Sequence, residues 1–137
     1  MGRRGESKQS ARSAIRDLRA DAADPEVKAA FRIEAINSLV QKQDQNLSAL
    51  LFRLLTDHSV RQSAIRGLAS FNDGETPDQL FKHYASFDPS TRMDALQTLA
   101  SRKPWAYRLL TALEEDEIPR RDISSYTARQ IHGFNDA

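Results

Sequence analysis

Apolar residues recur along this chain at intervals of three and four, the spacing at which side chains line one face of an α-helix. The clearest stripe is Leu47, Leu50, Leu51, Leu54 and Leu55. Leu80, Phe81, Tyr84 and Phe87 form a second, and Ala106, Leu109, Leu110 and Leu113 a third. No segment alternates apolar and polar residues between hairpin turns, so the pattern predicts no strand. Start signals punctuate the stripes: Asp24-Pro25, Asp88-Pro89, Pro104, and Thr76-Pro77 as an N-cap with proline in the first turn. Asp57 reads as the cap of a helix opening near His58. Asn72-Asp73-Gly74, Gly133 and the acidic run before Pro119 read as stops. The sum is about eight helices, near residues 8–22, 25–42, 45–56, 58–71, 77–86, 89–102, 104–115 and 122–132.

The stripes are not independent. Residues 57–68 and 88–99 share the string D-x-S-x-R-x-x-A-[I/L]-x-x-L, six matching positions if Ile65 is counted against Leu96, at an offset of 31. Arg32, Ala35, Ile36 and Leu39 reproduce its second half upstream, and Thr127, Ala128 and Ile131 give a degraded copy downstream. Spacings of 29, 31 and 32 residues, from Ala35 to Ala64 to Ala95 to Thr127, vary as loop lengths do. The helices therefore group into four hairpins. A lone helical hairpin cannot bury its stripe, so neighbouring hairpins must complete one another's core.

The repeated string resembles that of HEAT repeats, whose second helix carries an Asp at its start, an Arg one turn in and an Ala-[Ile/Leu]-x-x-Leu core; the likeness covers residues 8–132. It implies an all-α superhelical solenoid of about four hairpins, with first helices on a convex side and second helices on a concave one. Residues 8–137 are then one repeat domain, expected to be part of a larger protein, behind an N-terminal segment 1–7 that is disordered or an added tail. More narrowly, residues 118–132, from Ile118-Pro119 through Asp122 and Ala128 to Ile131-His132, resemble the HEAT-like region preceding the c-type haem domain of large secreted bacterial membrane-bound dehydrogenase-like proteins. That likeness implies a periplasmic or secreted setting; the haem motif itself would lie beyond Ala137.

Composition narrows the chemistry. With 137 residues, 39% hydrophobic and 28% charged, the chain is built for one core of ordinary size. It has no cysteine, which removes disulfides, thiolate metal sites and a cysteine nucleophile. No run of 18 apolar residues exists to cross a membrane. The formal net charge of +1 provides no global field for nucleic acid or anionic lipid. Charge is nonetheless uneven: residues 1–19 hold six basic side chains against Glu6 and Asp17, while Glu114 to Glu117 form a solvated acidic run.

Arg32, Arg61 and Arg92 occupy one register in three successive copies. Two readings follow. As free cations they would form a comb for an acidic partner or a phosphate backbone. As structural groups they would pair with Asp57 and Asp88, either four residues back along the helix or across to the neighbouring repeat, which is the ladder the resemblance implies. The candidate partner face comprises Lys28, Arg32, Arg61, Arg66, Arg92 and Arg129; the candidate structural ladder comprises Asp57, Arg61, Asp88 and Arg92. His58, His83 and His132 stand on different helices without a ligand partner at helical spacing, and no nucleophile elbow, phosphate loop or dinucleotide fingerprint is present. The expectation is a non-catalytic module without cofactor that binds a protein or a neighbouring domain of the same parent. Nucleic-acid binding along the arginine comb is the alternative, and uncovered repeat ends predict end-to-end self-association.

Overall fold

The computed structural model describes the backbone of residues 3–135 and the side chains of residues 10–134. Among the described residues the fold is all-α, with eight helices: α1 (Arg3–Ala23), α2 (Ala29–Gln41), α3 (Leu47–Arg53), α4 (Arg61–Leu68), α5 (Thr76–His83), α6 (Pro89–Leu99), α7 (Lys103–Glu114) and α8 (Ser125–Asn135). Helix α1 begins at Arg3, so it takes in part of the segment expected to be disordered, while Met1 and Gly2 lie outside the described residues. The chain divides into two compact units, with the boundary after Gly67.

Three expected helix starts move, each for a local reason. At Asp24-Pro25 the Asp24 carboxylate accepts the Glu26 N–H at 2.9 Å, closing a side-chain turn, and α2 opens only at Ala29. Asp57 does the same to the Ser59 N–H at 3.1 Å, so residues 58–60 form a turn ahead of α4. Thr76 is not the N-cap of α5 but its first residue: Asp73 closes the preceding turn on the Glu75 N–H at 2.9 Å. In each case a short acidic side chain mimics a backbone turn and holds the next residues out of the helix.

In the first unit, Ile36 and Leu39 of α2, Leu47 and Leu51 of α3, and Ile65 of α4 are all fully buried. Helix α3 ends in a 3-10 turn over Leu54–Thr56, which satisfies the last carbonyls and swings the chain into an extended Asp57. Gly67 marks the closest approach. A Cβ at that position would stand 3.2 Å from both Leu51 Cδ1 and Val40 Cγ2, so the missing side chain lets α4 pack directly against α2 and α3. Gln43 closes α2 with a φ of 53°, the left-handed conformation that a helix end often requires.

The second unit repeats the device. Helix α5 ends in a 3-10 turn over Tyr84–Ser86, and the chain leaves through an extended Phe87. The rings of Tyr84 and Phe87 meet edge to face with centroids 6.4 Å apart, and both are buried. Trp105 is 2% exposed with the Arg102 guanidinium 5.1 Å from its ring centroid, so it is a core residue. After α7, Asp116 turns left-handed at φ 60°, and the Glu117 and Ile118 N–H groups both reach back to the Ala112 carbonyl. This fold-back buries Ile118 while Glu114 to Glu117 stay in solvent.

Two stability predictions follow from this packing. Gly67→Leu forces a side chain into the space held by Leu51 and Val40 and is expected to cost about 2–3 kcal/mol, whereas Gly67→Ala changes stability by less than about 1 kcal/mol because improved helix propensity offsets the crowding. Urea unfolding of the three proteins checks the order. The Thr76 hydroxyl is fully buried without a hydrogen-bond partner, so Thr76→Val should leave the melting temperature unchanged or raise it; a fall equivalent to about 1 kcal/mol or more would contradict that reading.

Candidate functional site

The arginine register is the feature that the helices place most deliberately. In the first unit Arg32 lies in the first turn of α2 and is only 2% exposed. A guanidinium so buried must be hydrogen-bonded. Its Nε donates to the Ala22 carbonyl at the end of α1, 3.0 Å away, and its Nη2 to Asp57 Oδ2 at 2.6 Å. One side chain thus ties α1, α2 and the turn before α4. Arg19 of α1 makes a parallel link, with Nε donating to Asp44 Oδ2 at 2.7 Å and Nη2 to Oδ1, fixing the loop between α2 and α3. The Asp57 carboxyl is held below the usual carboxylate range chiefly by the hydrogen bond from Arg32, against the opposing effect of burial, with the Ser59 N–H assisting.

In the second unit Arg92 of α6 caps the end of α5. Its Nε donates to the Tyr84 carbonyl at 3.3 Å and its Nη2 to the Ala85 carbonyl at 3.1 Å. The same guanidinium lies 5.0 Å from the Tyr84 ring centroid and 3.9 Å, through Nη1, from Asp122 Oδ2. The Tyr84 hydroxyl donates to that carboxylate oxygen at 2.7 Å. Burial, and then the Asp122 carboxylate, push the Tyr84 phenol well above its ordinary range, so it stays a donor. Asp122 ends the 3-10 turn ahead of α8, in the degraded fourth copy. In that copy Ser124 stands where the other three have arginine, and its Oγ accepts the Thr127 N–H at 3.1 Å as the cap of α8. The series of arginines therefore ends in a helix cap.

These placements correct the expected face. Arg32 and Arg61, at 2% and 6% exposure, are buried and cannot meet a partner as surface cations. Arg92 is half-buried, with 32% of its side chain exposed. The comb of three free guanidinium groups is not there, and it lends the nucleic-acid alternative no support. Lys28, just ahead of α2, and Arg66 and Arg129 are exposed. Asp57 is engaged by Arg32, 25 residues earlier, and Asp88 accepts the Thr91 hydroxyl at the start of α6. What each second helix does offer to solvent is the position two beyond its repeat alanine or threonine: Asn37, Arg66, Gln97 and Arg129 are all exposed. Met93, 58% exposed on α6, was hidden in the sequence because methionine on a helix reads as core.

Each unit has a sizeable hollow open to solvent. One of about 530 Å³ lies in the first unit among Ala23, Pro25, Leu50, Arg53, Asp57 and His58. The other, about 430 Å³ in the second unit, is an apolar groove between α7 and α8 floored by Leu110, Leu113, Ile123, Ala128 and Ile131. His58 and His132 are exposed, and His83 is held below its ordinary range by burial and by Lys82. Among the described residues no group of His, Cys, Asp or Glu is placed to hold a metal ion, and no helix is long and apolar enough to cross a membrane.

Successive helical hairpins, a second-helix arginine turned inward and an Asp in the following turn define an all-α helical-repeat protein of the solenoid class. The chain belongs to the HEAT repeats: the family model matches residues 14–100, from α1 to the end of α6. Proteins of this family commonly mediate protein–protein interaction or scaffolding and are typically non-catalytic. Comparison with curated proteins and with solved structures gives no match. The likeness of residues 118–132 to the region before a haem domain finds no support in the family match, which ends before that segment.

A pH prediction follows for the buried link. Because Asp57 titrates lower in the folded chain than in the unfolded one, its pairing stabilises the fold above the ordinary Asp pKa of about 3.9, and that contribution is lost as pH falls through the depressed folded value. Asp57→Asn should lower stability by about 2–4 kcal/mol at neutral pH by leaving Arg32 underpaired. Urea titrations should show the gap between the two proteins narrowing once Asp57 is protonated. An unchanged gap from neutral to acid would contradict this account.

Proposed function

We propose that the chain is a non-catalytic protein-interaction or interdomain scaffold module, with its partner contacts on the exposed positions of the second helices. The observation that carries this reading is the division of labour within each repeat. The arginine register is spent inside the fold, while the register two residues beyond the repeat alanine or threonine carries exposed Asn37, Arg66, Gln97 and Arg129. A surface that varies in polarity at a fixed structural position reads a partner by shape and distributed polar contacts rather than by one deep pocket. Met93 adds an apolar contact on the same helix as Gln97.

Nucleic acid is the weaker reading, since two of the three ladder arginines are buried and the remaining exposed cations are spread among acidic and amide groups.

Site-specific photocrosslinking tests the proposal. A photoreactive residue at Arg66, Gln97 or Arg129 should yield protein adducts in extract of the source cells, and one at the first-helix positions Lys82 or Arg108 should not. Equal labelling from both sets of positions, or labelling of nucleic acid alone, would overturn the assignment.

A further inference from the structure

One register of the repeat separates the first copy from the others. The residue immediately before each repeat arginine is Phe31, Val60 or Thr91, and the equivalent in the fourth copy, before Ser124, is Ile123. Val60 and Thr91 are each 1% exposed, whereas Phe31 is 58% exposed. The first copy thus leaves open a position that the two inner copies cover completely, and it places there the bulkiest apolar side chain of the four. Around Phe31 lie Leu18, Val27 and Ala35, lining a hollow of about 390 Å³ edged by Asp21 and Glu34. Leu18 and Val27 are themselves only partly covered. An apolar knob of this size, rimmed by carboxylates, costs solubility and contributes little to its own fold.

The opposite character is found at the fourth copy. The groove between α7 and α8 is apolar along its floor, through Leu110, Leu113, Ile123 and Ala128, and its rim carries Arg120 and His132 with Glu114. Here too the register residue, Ile123, is incompletely covered. One surface is a projecting aromatic ring with acidic neighbours, and the other is an apolar trough whose rim carries the Arg120 guanidinium beside His132 and Glu114. We propose that the α7–α8 groove of one chain receives the Phe31 surface of a second copy of this chain. The occupant is argued from complementarity of shape and charge, and from the repeat register itself: the surface that carries Phe31 occupies a repeat position that inner copies bury. The contact is heterologous, since it joins two different surfaces, and association is driven mainly by apolar burial, with the Arg120 guanidinium facing Asp21 and Glu34 and His132 beside it. This inference adds a partner to the scaffold reading but uses neither Arg66, Gln97 nor Arg129, so either can fail without the other.

Sedimentation of the purified chain from about 1 to 500 µM, with helicity and melting followed in parallel, tests it. The wild-type chain should associate as concentration rises. Phe31→Asp, which changes an exposed side chain, should remain monomeric with an unchanged melt. Arg120→Glu combined with His132→Glu should weaken association at least about 10-fold, and Ala128→Asp should abolish it. An equimolar mixture of Phe31→Asp and Ala128→Asp should then form a one-to-one dimer, because each supplies the surface the other lacks. If Ala128→Asp impairs folding, the double charge reversal takes its place in the mixture. A wild-type chain monomeric across the whole range overturns the proposal. So does association abolished by Phe31→Asp but untouched by both groove variants, which would mean that Phe31 surfaces pair with each other.

Discussion

A guanidinium removed from water must find its partners inside the protein, and this demand organises the first unit around Arg32. Stripping water from such a group costs several kcal/mol, recovered only when its donors are met with good geometry. Arg32 meets the Ala22 carbonyl and the Asp57 carboxylate, which lie on either side of α2 in sequence. The positions of α1, α2 and the turn before α4 are thereby mutually constrained in a way that apolar contacts alone, being indifferent to direction, would not impose. Arg92 does comparable work in the second unit with a different set of acceptors: two carbonyls at the end of α5 and, at longer range, Asp122. The common element is an arginine one turn into a second helix that binds the end of the helix before it.

That arrangement depends on how the first helices stop. Both α3 and α5 finish in a 3-10 turn followed by one extended residue, Asp57 or Phe87. Tightening the last turn gathers the terminal carbonyls where a following arginine can reach them, as Tyr84 and Ala85 show. The extended residue then redirects the chain into the next helix within a few positions. Side chains committed to this internal work are withdrawn from the surface, and the exposed second-helix positions differ in chemistry from copy to copy while the arginine register is the same in three.

Most of the fold was legible because helical periodicity and the repeated string report the same thing. The leucines of the Leu47–Leu55 stripe and Ala64, Ile65 and Leu68 are buried as their spacing requires, and the eight helices fall close to their expected places. The starts at Asp24, Asp57 and Thr76 were less legible, since an Asp before a helix and an Asp that closes a turn look alike in sequence. The candidate surface was read less well. Arg32 and Arg61 stood in the sequence both as surface cations and as ladder groups, and the fold decides between the two by burying them. Asp122 stands two residues nearer to Thr127 than Asp57 and Asp88 stand to their alanines, so its partnership with Tyr84 and Arg92 was invisible to a comparison in strict register. Phe31 did carry a signal: it is the outlier among Phe31, Val60, Thr91 and Ile123, and aligning the copies on the arginine would have shown it.

The claim that an inward arginine organises the repeat is tested most directly by a double-mutant cycle on Arg32 and Asp57, using Arg32→Met, Asp57→Leu and the pair together. A cycle isolates the energy that the two side chains share, apart from what each contributes to its own surroundings. The buried link predicts a coupling of about 2 kcal/mol or more at neutral pH, with the double variant less damaged than the sum of the single ones. Additive effects within about 0.5 kcal/mol would contradict it, and would mean that apolar packing alone sets the arrangement of these helices.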